Sequence, residues 1–164
     1  METSFRTIID PGGSAPGGVM GFGGLETTRG EARWHGVCLA LAEMARRGLV
    51  EGEAIGQAVT WVMKVSGAKS AWLMSQALTF DLRRASHSIG ANVRDAASYL
   101  LWSMSRACPP RALEPFGEDM ATGLICVACF DREVGVRRAA SAAFQEGVGR
   151  LVNENDWGRL PGWG

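Results

Sequence analysis

The sequence predicts an all-α fold, an α-solenoid of HEAT/armadillo-like helical hairpins, on three observations. Val93-Arg94-Asp95-Ala96-Ala97-Ser98 returns as Val136-Arg137-Arg138-Ala139-Ala140-Ser141, five identities in six positions at an offset of 43 residues. That offset falls inside the roughly 40–47-residue period of repeats whose unit, a helical hairpin, cannot bury its apolar face alone. Apolar residues recur every three to four positions over most of the chain between residues 31 and 150. Asp131 also stands five residues before Val136-Arg137, the Asp-x4-Val-Arg spacing that opens the second helix of a HEAT hairpin. Solenoids of this kind present surface to partners more often than they perform chemistry.

The elements follow in order. Residues 1–30 read as a flexible Gly/Pro-rich segment, with too little apolar area to offset the entropy of fixing so many glycines. No Gly-Lys-Ser/Thr follows those glycines, so they do not form a phosphate-binding loop. Residues 31–150 are the repeat region. A first helix over about 31–47 stripes through Trp34, Val37, Leu41 and Met44 and stops at Gly48. A second, over about 53–64, stripes through Ile55, Val59 and Val62. Residues 65–76 break the period. A third helix over about 92–107 carries Val93, Ala97, Leu100 and Met104, with Asn92 and Asp95 as a capping pair and Pro109-Pro110 beyond its end. A helix opened by Pro115 carries Phe116, Met120, Leu124 and Val127 on one side. A last helix over about 132–148 turns Val136, Ala140 and Phe144 inward, and residues 151–164 read as an irregular tail.

Composition narrows the function. Hydrophobic residues make up 46 % of 164, enough for a packed core, and 17 basic side chains cancel 17 acidic ones. There is no basic excess to mark a nucleic-acid binder. The longest apolar stretch, residues 124–130, is far short of a bilayer span, and no secretory signal is visible at the N-terminus. Four cysteines among apolar helical neighbours point to reduced thiols and a cytosolic protein.

The repeated residues carry a structural role. An aspartate at position 131 can accept hydrogen bonds from free amides at a helix start, and an arginine one turn inside can reach its own or a neighbouring repeat's carboxylate, building a ladder along the solenoid. At the same offset Ser88 takes the place of Asp131. The repeat signature is therefore Ser88, Val93, Arg94, Asp131, Val136 and Arg137.

Three stretches, WHGVCLALAEMARRGL (34–49), ALTFDLRRASHSIGANVRDAASY (77–99) and FDREVGVRRAASAAFQEGVGR (130–150), resemble the tubulin-folding cofactor D family of HEAT-repeat chaperones. The resemblance covers 31–64 and 77–150. Against it, Val65–Gln76 is a 12-residue insertion, and its terminal valine and glutamine suit the GT and CAG ends of a translated intron. The tail after Arg150 also departs from the family, so the chain is expected to be an internal slice of a larger solenoid. The resemblance implies capture of β-tubulin after the chaperonin, association with other tubulin-folding cofactors and a small Arf-like GTPase, and stimulation of GTP hydrolysis by tubulin. It implies a cytoplasmic, cytoskeleton-associated protein with no catalytic residue and no cofactor of its own.

Other chemistry is weaker. Cys126-Val127-Ala128-Cys129 lacks two further ligands at zinc-finger spacing and lies in an apolar helical run, where both thiols serve as small core residues. His35 and His87 have no nucleophile or carboxylate at recognisable spacing. The arginine pairs Arg46/Arg47, Arg83/Arg84 and Arg137/Arg138 form a candidate partner surface, an electropositive ridge if stacking aligns them. Two alternatives stand beside the chaperone scaffold: a HEAT scaffold of another pathway, and a small metal or redox protein built on Cys126 and Cys129.

Overall fold

A computed structural model of the chain describes residues 28–63, 77–84 and 87–154. The side chains of residues 28–30, 82–88 and 152–154 lie outside the description, as do residues 1–27, residues 64–76 with the 65–76 insertion, residues 85–86 and residues 155–164.

Among the described residues six helices carry the fold: α1 (Thr28–Arg46), α2 (Glu53–Val62), α3 (Ala91–Ala107), the single turn α4 (Pro110–Leu113), α5 (Gly117–Phe130) and α6 (Val134–Glu154). Trp34, Cys38, Leu41, Ala42 and Ala45 give α1 one buried stripe at helical spacing. It ends as the sequence predicts. Gly48 takes φ 69°, its amide donates to the Ala45 carbonyl and the Leu49 amide donates to Met44, which satisfies the last free carbonyls. Trp61 of α2 stacks on Trp34 of α1 with ring centroids 4.8 Å apart, which joins the two helices through their largest side chains.

The helices α1, α3 and α6 lie side by side, with α3 in the centre, and α5 packs against α6. They run parallel. Glu31 in the first turn of α1 accepts the amide of Gly90 at the start of α3 (3.0 Å), and Arg106 near the end of α3 meets Glu146 in the second half of α6. A 3₁₀ turn, Ala77–Thr79, packs between α3 and α5. Because α3 is flanked on both sides, Val93, Ala97, Leu100, Leu101 and Met104 are fully buried.

Five details depart from the sequence reading. Helix α1 opens at Thr28, inside the segment expected to be flexible, and α6 continues to Glu154, into the expected tail. Helix α3 begins at Ala91 after Gly90 with no side-chain cap, so Asn92 lies within its first turn and not at its cap. Gly90 is required there: it takes φ 123°, and a Cβ would sit 2.5 Å from the Phe80 carbonyl oxygen. Pro115 falls in a 3₁₀ turn, Glu114–Phe116, and α5 starts only at Gly117. Finally, β1 (Leu82–Arg84) and β2 (His87–Ile89) form a small antiparallel ribbon, pairing Leu82 with Ile89, Arg83 with Ser88 and Arg84 with His87. An all-α solenoid thus carries one β-ribbon within a loop.

Candidate functional site

The ribbon explains how the repeated residues are placed. Phe130-Asp131 ends α5 and precedes Val136-Arg137 by a short loop; Phe80-Asp81 precedes Val93-Arg94 by a loop seven residues longer. The extra length is the ribbon. Phe80-Asp81 therefore holds in its hairpin the place that Phe130-Asp131 holds in the next. Ser88, paired with Asp131 by the 43-residue offset, lies on β2, and its side chain is outside the described residues.

Between the two hairpins four charged side chains meet. Arg94 is 3 % exposed, and its Nε and Nη2 donate to Oδ2 and Oδ1 of Asp131 at 2.6 and 3.1 Å, a bidentate fork. Its Nη1 donates to the Phe80 carbonyl at 2.7 Å and lies 3.6 Å from Asp81. Arg132 closes the ring by donating to the Asp81 carboxylate at 2.6 Å. Asp131 Oδ1 also accepts the Glu133 amide at 2.9 Å, which satisfies a free donor where α6 begins. Burial alone pushes the Asp131 carboxyl up. Hydrogen bonds from Arg94 and the Glu133 amide, with the charges of Arg94 and Arg132, outweigh it and hold the group below its usual range.

Thus the aspartate caps its helix and the arginine reaches the following repeat's carboxylate, as the spacing predicts for Arg94 and Asp131. Val93 and Val136 are buried beneath them. Arg137 differs. Its Nη1 donates to the carbonyls of Asp131 (2.7 Å) and Arg132 (3.0 Å), and the side chain is half-buried. Beside the network lies an open cleft of about 240 Å³, lined by Leu78, Thr79, Cys126, Val127 and Phe130 with the charged ring at one end.

The remaining candidates fall elsewhere. Arg46 and Arg47 lie at the C-terminal end of α1, where both bond Glu43 and Arg46 also donates to the Tyr99 hydroxyl. Arg138 is exposed near the N-terminal end of α6. Since α1 and α6 run parallel, these arginines stand at opposite ends of the helix layer and do not form one ridge. The side chains of Arg83, Arg84 and His87 are outside the described residues. Cys126 and Cys129 are exposed, which corrects their reading as core residues: α5 buries Met120, Leu124 and Val127, and the thiols fall off that stripe. Cys38 and Cys108 are buried. Among the described residues no three His, Cys, Asp or Glu side chains form a metal-binding group, and no helix is long and apolar enough to cross a membrane.

Asp81 and Arg132 were not singled out as site residues by sequence. The recurring Phe-Asp dipeptide was the available signal, hidden because the ribbon shifts it out of the 43-residue register. Chemically, the network is a set of matched charges that fixes one hairpin against the next.

Residues 20–156 match the family described as tubulin-specific chaperone D-like, ARM repeats. The chain is 43 % identical over 117 residues to the tubulin-specific chaperone D of Dictyostelium discoideum, covering 71 % of this chain and 7 % of that protein. It is 29 % identical over 123 residues to the tubulin-folding cofactor D of Schizosaccharomyces pombe, covering 75 % of this chain and 10 % of that protein. No solved structure matches. The chain thus spans a tenth or less of the length of these relatives.

Proposed function

The chain belongs to the tubulin-specific chaperone D-like family, and from that premise we propose that it is a stretch of scaffold in a tubulin-folding cofactor. Its described residues supply stacked helices locked by the Arg94–Asp131 fork, a surface held in shape for a protein partner. The observation that carries the reading is the family match across most of the chain. The partner proposed is β-tubulin released by the chaperonin, with other tubulin-folding cofactors and a small Arf-like GTPase as co-components in a cytoplasmic, cytoskeleton-associated setting. In this reading the chain acts by surface and not by catalysis. Any stimulation of GTP hydrolysis uses the nucleotide and catalytic groups of tubulin.

The test is binding of purified β-tubulin to the purified chain by surface plasmon resonance, after circular dichroism shows a cooperative helical melt. Saturable binding supports the reading. A folded chain that does not bind would leave it a purely structural stretch and overturn the proposed contact with tubulin.

A further inference from the structure

Helix α3 is flanked by α1 and α6, and the stripe it leaves open runs through Asn92, Asp95, Tyr99, Trp102 and Arg106, at steps of three and four. The internal repeat shows what such a stripe needs. At the 43-residue offset the open stripe of α6 reads Gly135, Arg138, Ala142, Gln145 and Gly149, all exposed. Small and polar residues therefore suffice there, while the Val-Arg and Ala-Ala-Ser positions that pack the helices recur in both copies. Tyr99 and Trp102 stand where the packing of the helices does not ask for large aromatic side chains.

The two rings are half-buried and stacked, with centroids 5.8 Å apart. Cations flank them. Arg46 of α1 donates to the Tyr99 hydroxyl at 3.2 Å, and the Arg106 guanidinium lies 5.3 Å over the Trp102 ring. Carboxylates are outnumbered around this group: Glu43 is shared by Arg46 and Arg47, and Glu146 by Arg106 and Arg150. Among the described residues each cluster thus keeps one positive charge in excess, on exposed arginines. Asp95 lies on the same stripe, one turn nearer the start of α3. Tyr, Trp and Arg are the residue types that carry binding energy where proteins meet.

We propose that this face of the α1–α3–α6 layer is a docking surface for an extended acidic segment of a protein partner. Its carboxylates are taken by Arg46 and Arg106, and an apolar or aromatic side chain between them lies on the Tyr99–Trp102 stack. The excess charge selects the occupant, because a basic segment is repelled by it and a neutral one makes no use of it. The surface is independent of the tubulin reading, since any partner with such a segment meets its terms.

The probe is a short fluorescein-labelled peptide of glutamate and alanine with one central phenylalanine, titrated with the full chain and read by fluorescence anisotropy. The same peptide with glutamine in place of glutamate is the control. We expect the acidic peptide to bind saturably and more weakly as salt is raised, and the glutamine peptide not to bind. Arg46→Gln and Arg106→Gln should each weaken binding by about threefold to fivefold, and Trp102→Leu by about tenfold. Arg33→Gln, exposed in the first half of α1, should change it by less than about twofold. Should Trp102→Leu not fold, the two arginine variants decide the point, because both side chains are exposed and neither belongs to the core. Absence of binding, equal binding of the glutamine peptide, or the same loss from Arg33→Gln as from Arg106→Gln overturns the proposal. A single-stranded oligonucleotide that displaces the probe at lower concentration than the unlabelled peptide would assign the surface to nucleic acid. A dimer of the chain in sedimentation, lost in Arg106→Gln, would assign it to a second copy. Either result likewise overturns the proposal.

Discussion

Arg94 and Asp131, 37 residues apart, are joined by two hydrogen bonds that cross from one helical hairpin to the next. Both side chains are almost wholly buried, at 4 % and 6 % exposure. A buried pair is costly to assemble, yet removing one member leaves the other uncompensated. We therefore expect Asp131→Asn to destabilise the fold by about 3–5 kcal/mol in urea unfolding, with Arg94→Lys also destabilising because one ammonium cannot reproduce the fork. A loss under about 1 kcal/mol from Asp131→Asn would show that the fork is dispensable.

The same pair sets a pH response. The folded-state pKa of Asp131 lies below its ordinary 3.8, so its stabilisation is complete above that value and is lost as pH falls through the folded pKa. Acid titration of stability should show a decline below about pH 4 that Asp131→Asn lacks. Parallel curves for the two proteins would assign acid sensitivity to other carboxylates.

Gly90→Ala should destabilise by about 1–3 kcal/mol or more, because a Cβ meets the Phe80 carbonyl in a backbone conformation that alanine rarely adopts. The loss should appear in the thermal midpoint by circular dichroism. Wild-type stability in Gly90→Ala would mean that α3 can begin with a different backbone turn.

Trp34 of α1 and Trp61 of α2 form a buried stack. Trp34→Ala should cost about 3–5 kcal/mol and remove the exciton couplet expected of the stacked pair from far-ultraviolet circular dichroism. An unchanged spectrum would place that signature elsewhere.

The thiols should divide two and two. Cys126 and Cys129 are exposed, whereas burial pushes the Cys38 thiol up to about 12 and raises Cys108 as well. Under native conditions a thiol reagent should modify Cys126 and Cys129 at once and the other pair only on unfolding. Rapid modification of Cys38 would contradict the packing of α1.

The helices α1, α2, α3, α5 and α6 and the inter-repeat arginine were legible because each announces itself locally, by a stripe of apolar residues or by a repeated hexapeptide. Asp131 was legible too, since its spacing from Arg137 is intact. Asp81 was not. Its spacing is stretched by the ribbon, and three-residue strands leave no alternation long enough to read. Cys126 and Cys129 misled for a related reason: in the unbroken apolar run 124–130, sequence cannot tell the buried face from the exposed one.

One physical regularity bears on the 65–76 insertion. With those residues removed, Ala58, Val62 and Ala77 would follow the same four-then-three spacing as Met120, Leu124 and Val127, and all six are buried. Deleting 65–76 is expected to join α2 to the 3₁₀ turn as one helix and to stabilise the chain by on the order of 1–2 kcal/mol through the shorter connection between them. A destabilised deletion variant would show that the insertion belongs to the fold; sequencing the spliced transcript settles its origin.

In a protein built from look-alike hairpins, the hazard is stacking out of order. An apolar face accepts any apolar face. A guanidinium does not: a neighbour without a carboxylate at the right loop would shut Arg94 away from water with Nε and Nη2 unmatched and only Asp81, 3.6 Å from Nη1, to meet its charge. The arginine thus works as a gatekeeper at the seam, admitting α5–α6 because Asp131 comes with it and making any neighbour whose loop lacks a carboxylate expensive.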